Sequence, residues 1–75
     1  MKKIIQVQIY KGEKYYIAEC VGIPVITQAK SLDELIFNIR EALELHFEES
    51  LLEDYEIVKN PTILANIELG ALEYA

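Results

Sequence analysis

The fold is decided by residues 31–49, which read SLDELIFNIREALELHFEE. Ser31 is a good helix N-cap and Glu34 stands three residues after it, so the pair predicts a capping box at the start of a helix. Apolar residues then recur at spacings of three and four, which predicts a helix over residues 32–49 with one apolar stripe. The stripe consists of Leu32, Leu35, Ile36, Ile39, Leu43, His46 and Phe47. We expect it to pack against a sheet.

The other side of the predicted helix carries most of its charge. The residues expected to face water there are Asp33, Arg40, Glu41, Glu44 and Glu48. Phe37 projects near this charged side, and Leu45 lies off the centre of the apolar stripe. Isolated hydrophobic residues are common on protein surfaces, but an exposed aromatic ring on a rigid helix is also a typical binding anchor. Phe37 is therefore the first candidate for a partner contact.

Three strands are predicted before the helix, over residues 3–10, 14–20 and 24–28. The first alternates between apolar and polar side chains, which is typical of a half-buried strand. Residues 11–14 supply turn chemistry, with Gly12 able to adopt positive φ, so the first two strands form a hairpin. Gly22 and Pro24 then end the second strand. Short links between successive strands predict an antiparallel meander.

A fourth strand is predicted after the helix, over residues 62–69, following a connection that ends at Asn60 and Pro61. A helix placed before it lets this strand return beside the first strand and parallel to it. The predicted fold is α+β, with the order β-β-β-α-β, in one domain over residues 1–75. One helix packs on one face of the sheet, and the other face is open unless a second subunit covers it.

Composition indicates the class of partner. The net charge is −6, from thirteen acidic and seven basic residues, so we expect no direct binding to nucleic acid. The lack of an apolar run long enough to span a bilayer predicts no membrane partner. A basic protein would be attracted, although an acidic surface also serves solubility. About half of the residues, 52%, are hydrophobic, which for so short a chain predicts a homo-oligomer, either a dimer or a tetramer. A single cysteine and no apolar run long enough for a membrane span favour the cytoplasm.

Few residues in the sequence are candidates for catalysis or metal binding. His46 is the only histidine and falls on the apolar stripe, and Cys20 lies in a strand among apolar neighbours. The glutamates of the helix lack a second acidic element that would complete a metal site. The first strand has no Asp or Glu, which a two-metal nuclease of similar strand order would need. We expect a protein that is not an enzyme and binds neither cofactor nor metal. Tyr10, Tyr15 and Tyr16 are interpreted as cross-strand packing residues rather than a base-stacking platform.

Residues 16–35, YIAECVGIPVITQAKSLDEL, resemble the HicB family of antitoxins. The family pattern is a strand with Ala and an acidic residue, a Pro turn, a strand reaching Thr-Gln-Gly, and a helix opening Ser/Thr-x-x-Glu-Ala. Residues 38–45 resemble the continuation of that helix, and residues 51–54 its exit segment. Ala29 stands where the family has Gly, and Leu35 stands where it has Ala. No helix-turn-helix or ribbon-helix-helix segment follows the fourth strand, so the partner-binding half is expected without the DNA-binding half.

The resemblance implies a degenerate ribonuclease H-like fold that oligomerises and neutralises a small basic HicA-type toxin, which cleaves mRNA. The expected contacts are Phe37 as apolar anchor, together with the acidic residues Glu41, Glu44 and Glu48. One alternative is an orphan homo-oligomeric module that serves as a scaffold or regulator without a toxin. Another is a weak enzyme or nucleic-acid binder that keeps the ribonuclease H-like fold.

Overall fold

The structure of the chain, a computed structural model, describes residues 2–49 and 57–72. Its elements are β1 (Lys2–Lys11), β2 (Tyr16–Cys20), β3 (Ile26–Ala29), α1 (Leu32–Glu49) and β4 (Ile57–Ile67). The predicted order β-β-β-α-β, the α+β class and the bounds of the helix are confirmed. Residues 51–54, which resemble the HicB exit segment, lie outside the described residues.

The four strands form one mixed sheet in the order β3-β2-β1-β4. β1 pairs antiparallel with β2, and β2 pairs antiparallel with β3, so the predicted meander is confirmed. β4 pairs parallel with β1, and Ile5 and Ile9 of β1 stand opposite Ile63 and Ile67. A parallel pair needs a long crossover connection, and α1 lies in that connection. The last strand therefore returns beside the first, as predicted.

The hydrophobic core lies between α1 and one face of the sheet. The large side chains that β1 and α1 bury there are Ile5, Val7, Ile9, Leu35, Ile39 and Leu43, and Ile23 and Ile57 join them from the loop before β3 and from β4. β2 and β3 contribute Ala18 and Ala29, whose small side chains let the helix backbone approach these two strands closely. Accordingly, α1 makes its most extensive contacts with β3 and β2. This position leaves the helix side of β4 partly open.

The apolar stripe of the helix is confirmed with one exception. Leu35, Ile39 and Leu43 are buried, but Ile36 is 47% exposed. Ile36 lies on the flank of α1 that faces β4, where the helix does not cover the sheet fully. At the end of the stripe, His46 and Phe47 are half-buried and their rings meet edge to face, 5.3 Å between centroids.

The start of α1 is set by Ser31. Its Oγ accepts a hydrogen bond from the backbone N–H of Glu34 at 3.2 Å, and its carbonyl accepts the first helical bond, from Leu35 N–H, at 3.0 Å. These two bonds confirm the predicted N-cap, because a capping side chain supplies one of the partners that the first turn lacks. Asp33 and Glu34 place negative charge in this first turn, where the helix dipole favours it.

The hairpin turn differs from the prediction in its glycine. β2 begins at Tyr16 rather than at residue 14, because Gly12 N–H donates to the Tyr15 carbonyl at 2.8 Å and closes a turn. Gly12 does not have positive φ. A Cβ at this position would lie 3.1 Å from Ile17 Cδ1 and 3.3 Å from the Tyr15 carbonyl oxygen, so a larger residue would have to displace these neighbours by a few tenths of an ångström. In the next loop, by contrast, Gly22 does adopt positive φ, 76°.

The bounds of β3 and β4 also differ from the prediction. β3 covers Ile26–Ala29 rather than residues 24–28, since Pro24 cannot donate to the ladder. β4 covers Ile57–Ile67 rather than residues 62–69, and it passes through Pro61. The register shifts between the pairs Lys2–Ile57 and Ile4–Thr62, so Pro61 lies in an irregular stretch where its missing N–H is tolerated. Regular pairing with β1 starts only at Thr62.

Candidate partner-binding surface

The four residues predicted to bind a partner lie together on the outward side of α1. At about 100° per residue, a sector of about 60° around the helix axis contains Phe37, Glu41, Glu44 and Glu48. All four are exposed, and Asp33, one turn before Phe37, is exposed on the same side. We call these five residues the acidic helix face. The structure thus brings together every residue that sequence analysis assigned to the partner site.

Phe37 is the apolar residue of the acidic helix face and lies about one turn from Asp33 and from Glu41. Its side chain is 66% exposed, more than Leu45 at 56%. Leu45 lies beside the face rather than on it, about 80° around the axis from Phe37. Transfer of an aromatic ring from water into a partner's pocket is favourable, and aromatic rings are over-represented among the residues that dominate binding energy. A helix also holds such a ring at low cost in entropy.

The acidic charge of the chain is concentrated on α1. The helix holds six of the thirteen acidic residues but only one of the seven basic residues, Arg40. Glu44 and Glu48 stand four residues apart, a like-charge spacing that disfavours a helix by about 0.2–0.5 kcal/mol. Both also lie in the C-terminal half, toward the end where the dipole disfavours negative charge. Arg40 stands four residues before Glu44 and offsets part of this cost, whereas Glu41 and Glu48 have no basic residue three or four positions away. Local helix stability does not explain Glu41 and Glu48, which leaves solubility or a cationic partner.

Cys20 and His46 are the candidates for a nucleophile and a base, and both are half-buried. Cys20 is a half-buried free thiol packed against the core cluster. Burial raises the pKa of the Cys20 thiol, so the reactive thiolate is disfavoured at neutral pH. His46 packs against Phe47 on the inward side of α1. Neither residue lies on the acidic helix face.

No metal centre is found in the part of the chain that the structure describes. Among residues 2–49 and 57–72, no three His, Cys, Asp or Glu side chains are grouped so that they could hold a metal ion. The glutamates of the acidic helix face follow one another along a single helix and point outward. Their geometry suits a long-range field for a cationic surface rather than coordination.

The tyrosines of the hairpin are divided between the two faces of the sheet. Tyr10 stands opposite Ile17 on the open face, whereas Tyr16 stands opposite Lys11 on the helix side. The Lys11 ammonium lies 5.5 Å from the centre of the Tyr16 ring, a cation–π distance. On the open face, partial burial and the neighbouring Glu19 carboxylate, which accepts a hydrogen bond from the hydroxyl, raise the pKa of Tyr10. Tyr10 and Tyr16 therefore cannot stack on bases from one side.

A second surface was not predicted from the sequence. β4 is an outer strand of the sheet, and residues 60–67 within it contain no charged side chain. We call the outer backbone and the side chains of residues 62–67 the β4 edge. The absence of charge is visible in the sequence, but its importance depends on knowing that this strand lies at an edge.

Comparison of the chain with protein-family models, with curated proteins and with solved structures finds no match in any of the three. Within residues 2–49 and 57–72, no helix combines the length and the apolar character that crossing a membrane requires. The functional argument therefore depends on the residues and their placement.

Proposed function

We propose that this chain is a HicB-like antitoxin module that neutralises a small basic HicA-type mRNA-cleaving toxin by direct contact, without catalysis. The observation that carries the proposal is the acidic helix face, where an aromatic ring that is 66% exposed lies in one row with carboxylates on one rigid helix. Phe37 enters an apolar pocket on the toxin. Glu41, Glu44 and Glu48 follow it along the helix, at about 6, 10 and 16 Å, and pair with Lys and Arg side chains.

Three independent features support this proposal. Residues 16–35 resemble the HicB pattern of strand, Pro turn, strand and capped helix. The strand order β3-β2-β1-β4, with β4 parallel to β1, is compatible with the degenerate ribonuclease H-like fold that the resemblance implies. The net charge of −6, concentrated on α1, gives long-range attraction to a basic protein and would raise its rate of association.

The mechanism we propose is occlusion. A toxin that cleaves mRNA must present a basic surface to the phosphate backbone. The acidic helix face competes for that surface with carboxylates in place of phosphates, and Phe37 supplies the apolar contact that RNA phosphates lack. We place this complex in the cytoplasm, where mRNA is available and the single Cys20 stays reduced.

The test is co-expression of the chain with a small basic toxin of the HicA type encoded beside it. We expect the toxin alone to arrest growth and the pair to grow. Phe37→Ala should weaken the purified complex about thirtyfold or more, as truncation of a central aromatic anchor costs about 2 kcal/mol or more. Glu44→Lys should reduce the association rate and the affinity, because it reverses a charge at the interface.

Two matched variants serve as controls. Leu45→Ala removes an exposed apolar side chain beside the acidic helix face, and Glu13→Lys reverses an exposed charge in the hairpin turn, outside the face. Both should leave neutralisation intact. If no complex forms with such a toxin, or if Phe37→Ala and Leu45→Ala weaken it equally, the proposal is wrong, and the chain is then better described as an orphan homo-oligomeric scaffold or regulatory module.

A further inference from the structure

We propose that the β4 edge is where two copies of this chain pair, strand to strand, around a twofold axis at Ala65. This surface is separate from the acidic helix face, and the proposal does not depend on a toxin partner. It assigns an interface to the homo-oligomer that the sequence predicts. Three observations favour a second copy of the chain at this edge: its lack of charge, the direction of its free backbone groups and the sequence of the strand.

The two outer strands of the sheet differ in how far they are protected from pairing. β3 has four residues, stands between Pro24 and Lys30, and has one carbonyl, that of Gln28, bonded by Asn38 Nδ2 at 3.4 Å. Short length, nearby Pro and Lys, and a covering side chain are the usual devices against edge pairing. β4 also contains a Lys and a Pro, Lys59 and Pro61, but both precede Thr62, where regular pairing with β1 begins. From Thr62 to Ile67 the strand has no charged residue and no Pro. A long, uncharged outer strand is a template for another strand.

Charge argues for a second copy as the occupant. Two chains of net charge −6 repel each other unless they meet where neither carries charge. Residues 60–67 form such a surface, whereas a basic partner would gain nothing from it and is attracted to α1. The β4 edge therefore favours a partner with the same neutral, apolar strand.

The free backbone groups have the alternation that a twofold pair requires. Glu68 N–H donates to the Ile9 carbonyl at 2.8 Å, so even-numbered residues of this stretch turn toward β1. The N–H and C=O groups of Ile63, Ala65 and Ile67 then turn outward. An antiparallel pair centred on Ala65 places each Ala65 opposite its copy and each Ile63 opposite Ile67 of the partner. All of these are hydrogen-bonded positions, which gives about six backbone bonds across the interface.

The side chains are self-complementary in the same register. Ile63, Ala65 and Ile67 all lie on the helix side of β4, and Ile67 is 48% exposed there. Ile36 of α1 lies beside them and is half-exposed. A groove between the helix and β4 is lined by Ile36, Ile63 and Ala65. Pairing across the twofold axis extends the sheet to eight strands and joins the two grooves into one apolar surface. An isologous contact of this kind closes after two copies.

The test is the mass of the full chain in solution by light scattering and sedimentation, with hydrogen exchange resolved by residue. We expect a dimer in which the amides of Ile63, Ala65 and Ile67 become more protected as concentration rises. Ala65→Lys sets two like charges directly opposite each other and should raise the dissociation constant at least about tenfold. Ile26→Lys, at an apolar residue of the β3 edge that is 61% exposed, is the matched control and should remain dimeric.

Each outcome decides the proposal. A wild-type chain that is monomeric at millimolar concentration overturns it, and so does a dimer in which these three amides exchange like unpaired groups. If Ala65→Lys fails to fold by circular dichroism, the concentration dependence of exchange in the wild type still decides. Loss of the dimer in Ile26→Lys but not in Ala65→Lys would assign pairing to β3 and reject the β4 edge. Toxin binding is measured separately, so its failure leaves this result untouched.

Discussion

The acidic helix face and the β4 edge are built from opposite kinds of residue. The first has an exposed aromatic ring in a row of carboxylates on a helix, and apart from the two helix ends its backbone is bonded within the helix. The second has no charge, and its backbone groups at Ile63, Ala65 and Ile67 turn away from the sheet. In the two proposals, side chains would therefore determine which partner the helix binds, whereas hydrogen bonds of the main chain would determine what pairs with the strand. A small chain can in this way carry two surfaces that do not compete for the same partner.

Both surfaces depend on the packing of α1, and this gives the largest expected effect. Leu35 is fully buried at the centre of the core, on the side of α1 opposite Phe37. Leu35→Ala should lower the free energy of unfolding by about 2–5 kcal/mol, from lost burial and the cavity left behind. For a domain of this size that approaches the whole stability. Leu45→Ala, at an exposed site, should change it by less than about 0.5 kcal/mol.

Chemical denaturation followed by circular dichroism measures this difference. Equal losses in the two variants would mean that α1 is not packed on the sheet by its Leu35 side. In that case the assignment of an outward acidic helix face would also be wrong.

Salt should weaken binding at the acidic helix face but not at the β4 edge, and this is the next largest expected effect. Screening weakens attraction between exposed opposite charges, so raising NaCl from about 0.05 to 0.5 M should weaken toxin binding about tenfold or more. The same change should leave the dimer of the chain equal or tighter, since it screens only the repulsion between two acidic copies. Titration calorimetry and sedimentation at both salt concentrations measure the two constants. A dimer that dissociates with salt would indicate that charged residues, and not the β4 edge, hold it together.

The helix and strands with a clear hydrophobic period could be predicted from the sequence. The position of the helix across the sheet could not. The three- and four-residue spacing from Leu32 onward fixed the bounds of α1, and alternation around Val7 identified β1. The exposure of Ile36 depends on where α1 lies across the sheet, which the small side chains of Ala18 and Ala29 help to decide. No single residue signals this, because it is a property of the packed layers.

The same distinction applies to the candidate surfaces. Phe37, Glu41 and Glu44 were predictable because one helical period places them on one face. The β4 edge was not, because neutrality in residues 60–67 is typical of a buried strand as much as of an edge. Pro61 was interpreted as the end of a connection, although a proline also fits an irregular stretch within a strand. Only the strand order distinguishes these possibilities.

The smallest expected effect concerns Tyr10, on the open face of the sheet, and Cys20, which packs against the core; neither belongs to the two surfaces. Partial burial, with the hydrogen bond and charge of Glu19, raises the pKa of Tyr10 above its ordinary value of 10.0, and burial raises the pKa of Cys20 above 9.0. A raised pKa means that the folded state holds its proton more tightly than the unfolded state does. This stability is complete below the ordinary values and is lost as pH rises through the folded ones.

We therefore expect the free energy of unfolding to fall progressively above pH 9, first through Cys20 and then through Tyr10. Cys20→Ala should remove the earlier part of this loss, and Tyr10→Phe should remove the later part. Neither variant should alter the dissociation constant of the dimer at pH 7, because residues 60–67 contain no titratable group and Tyr10 lies on the face away from the apolar groove. Denaturant titrations between pH 7 and 11, with sedimentation at pH 7, make both measurements. If Tyr10→Phe weakens the dimer while its stability at pH 7 is unchanged, the copies pair through the open face, and the β4 edge loses its role.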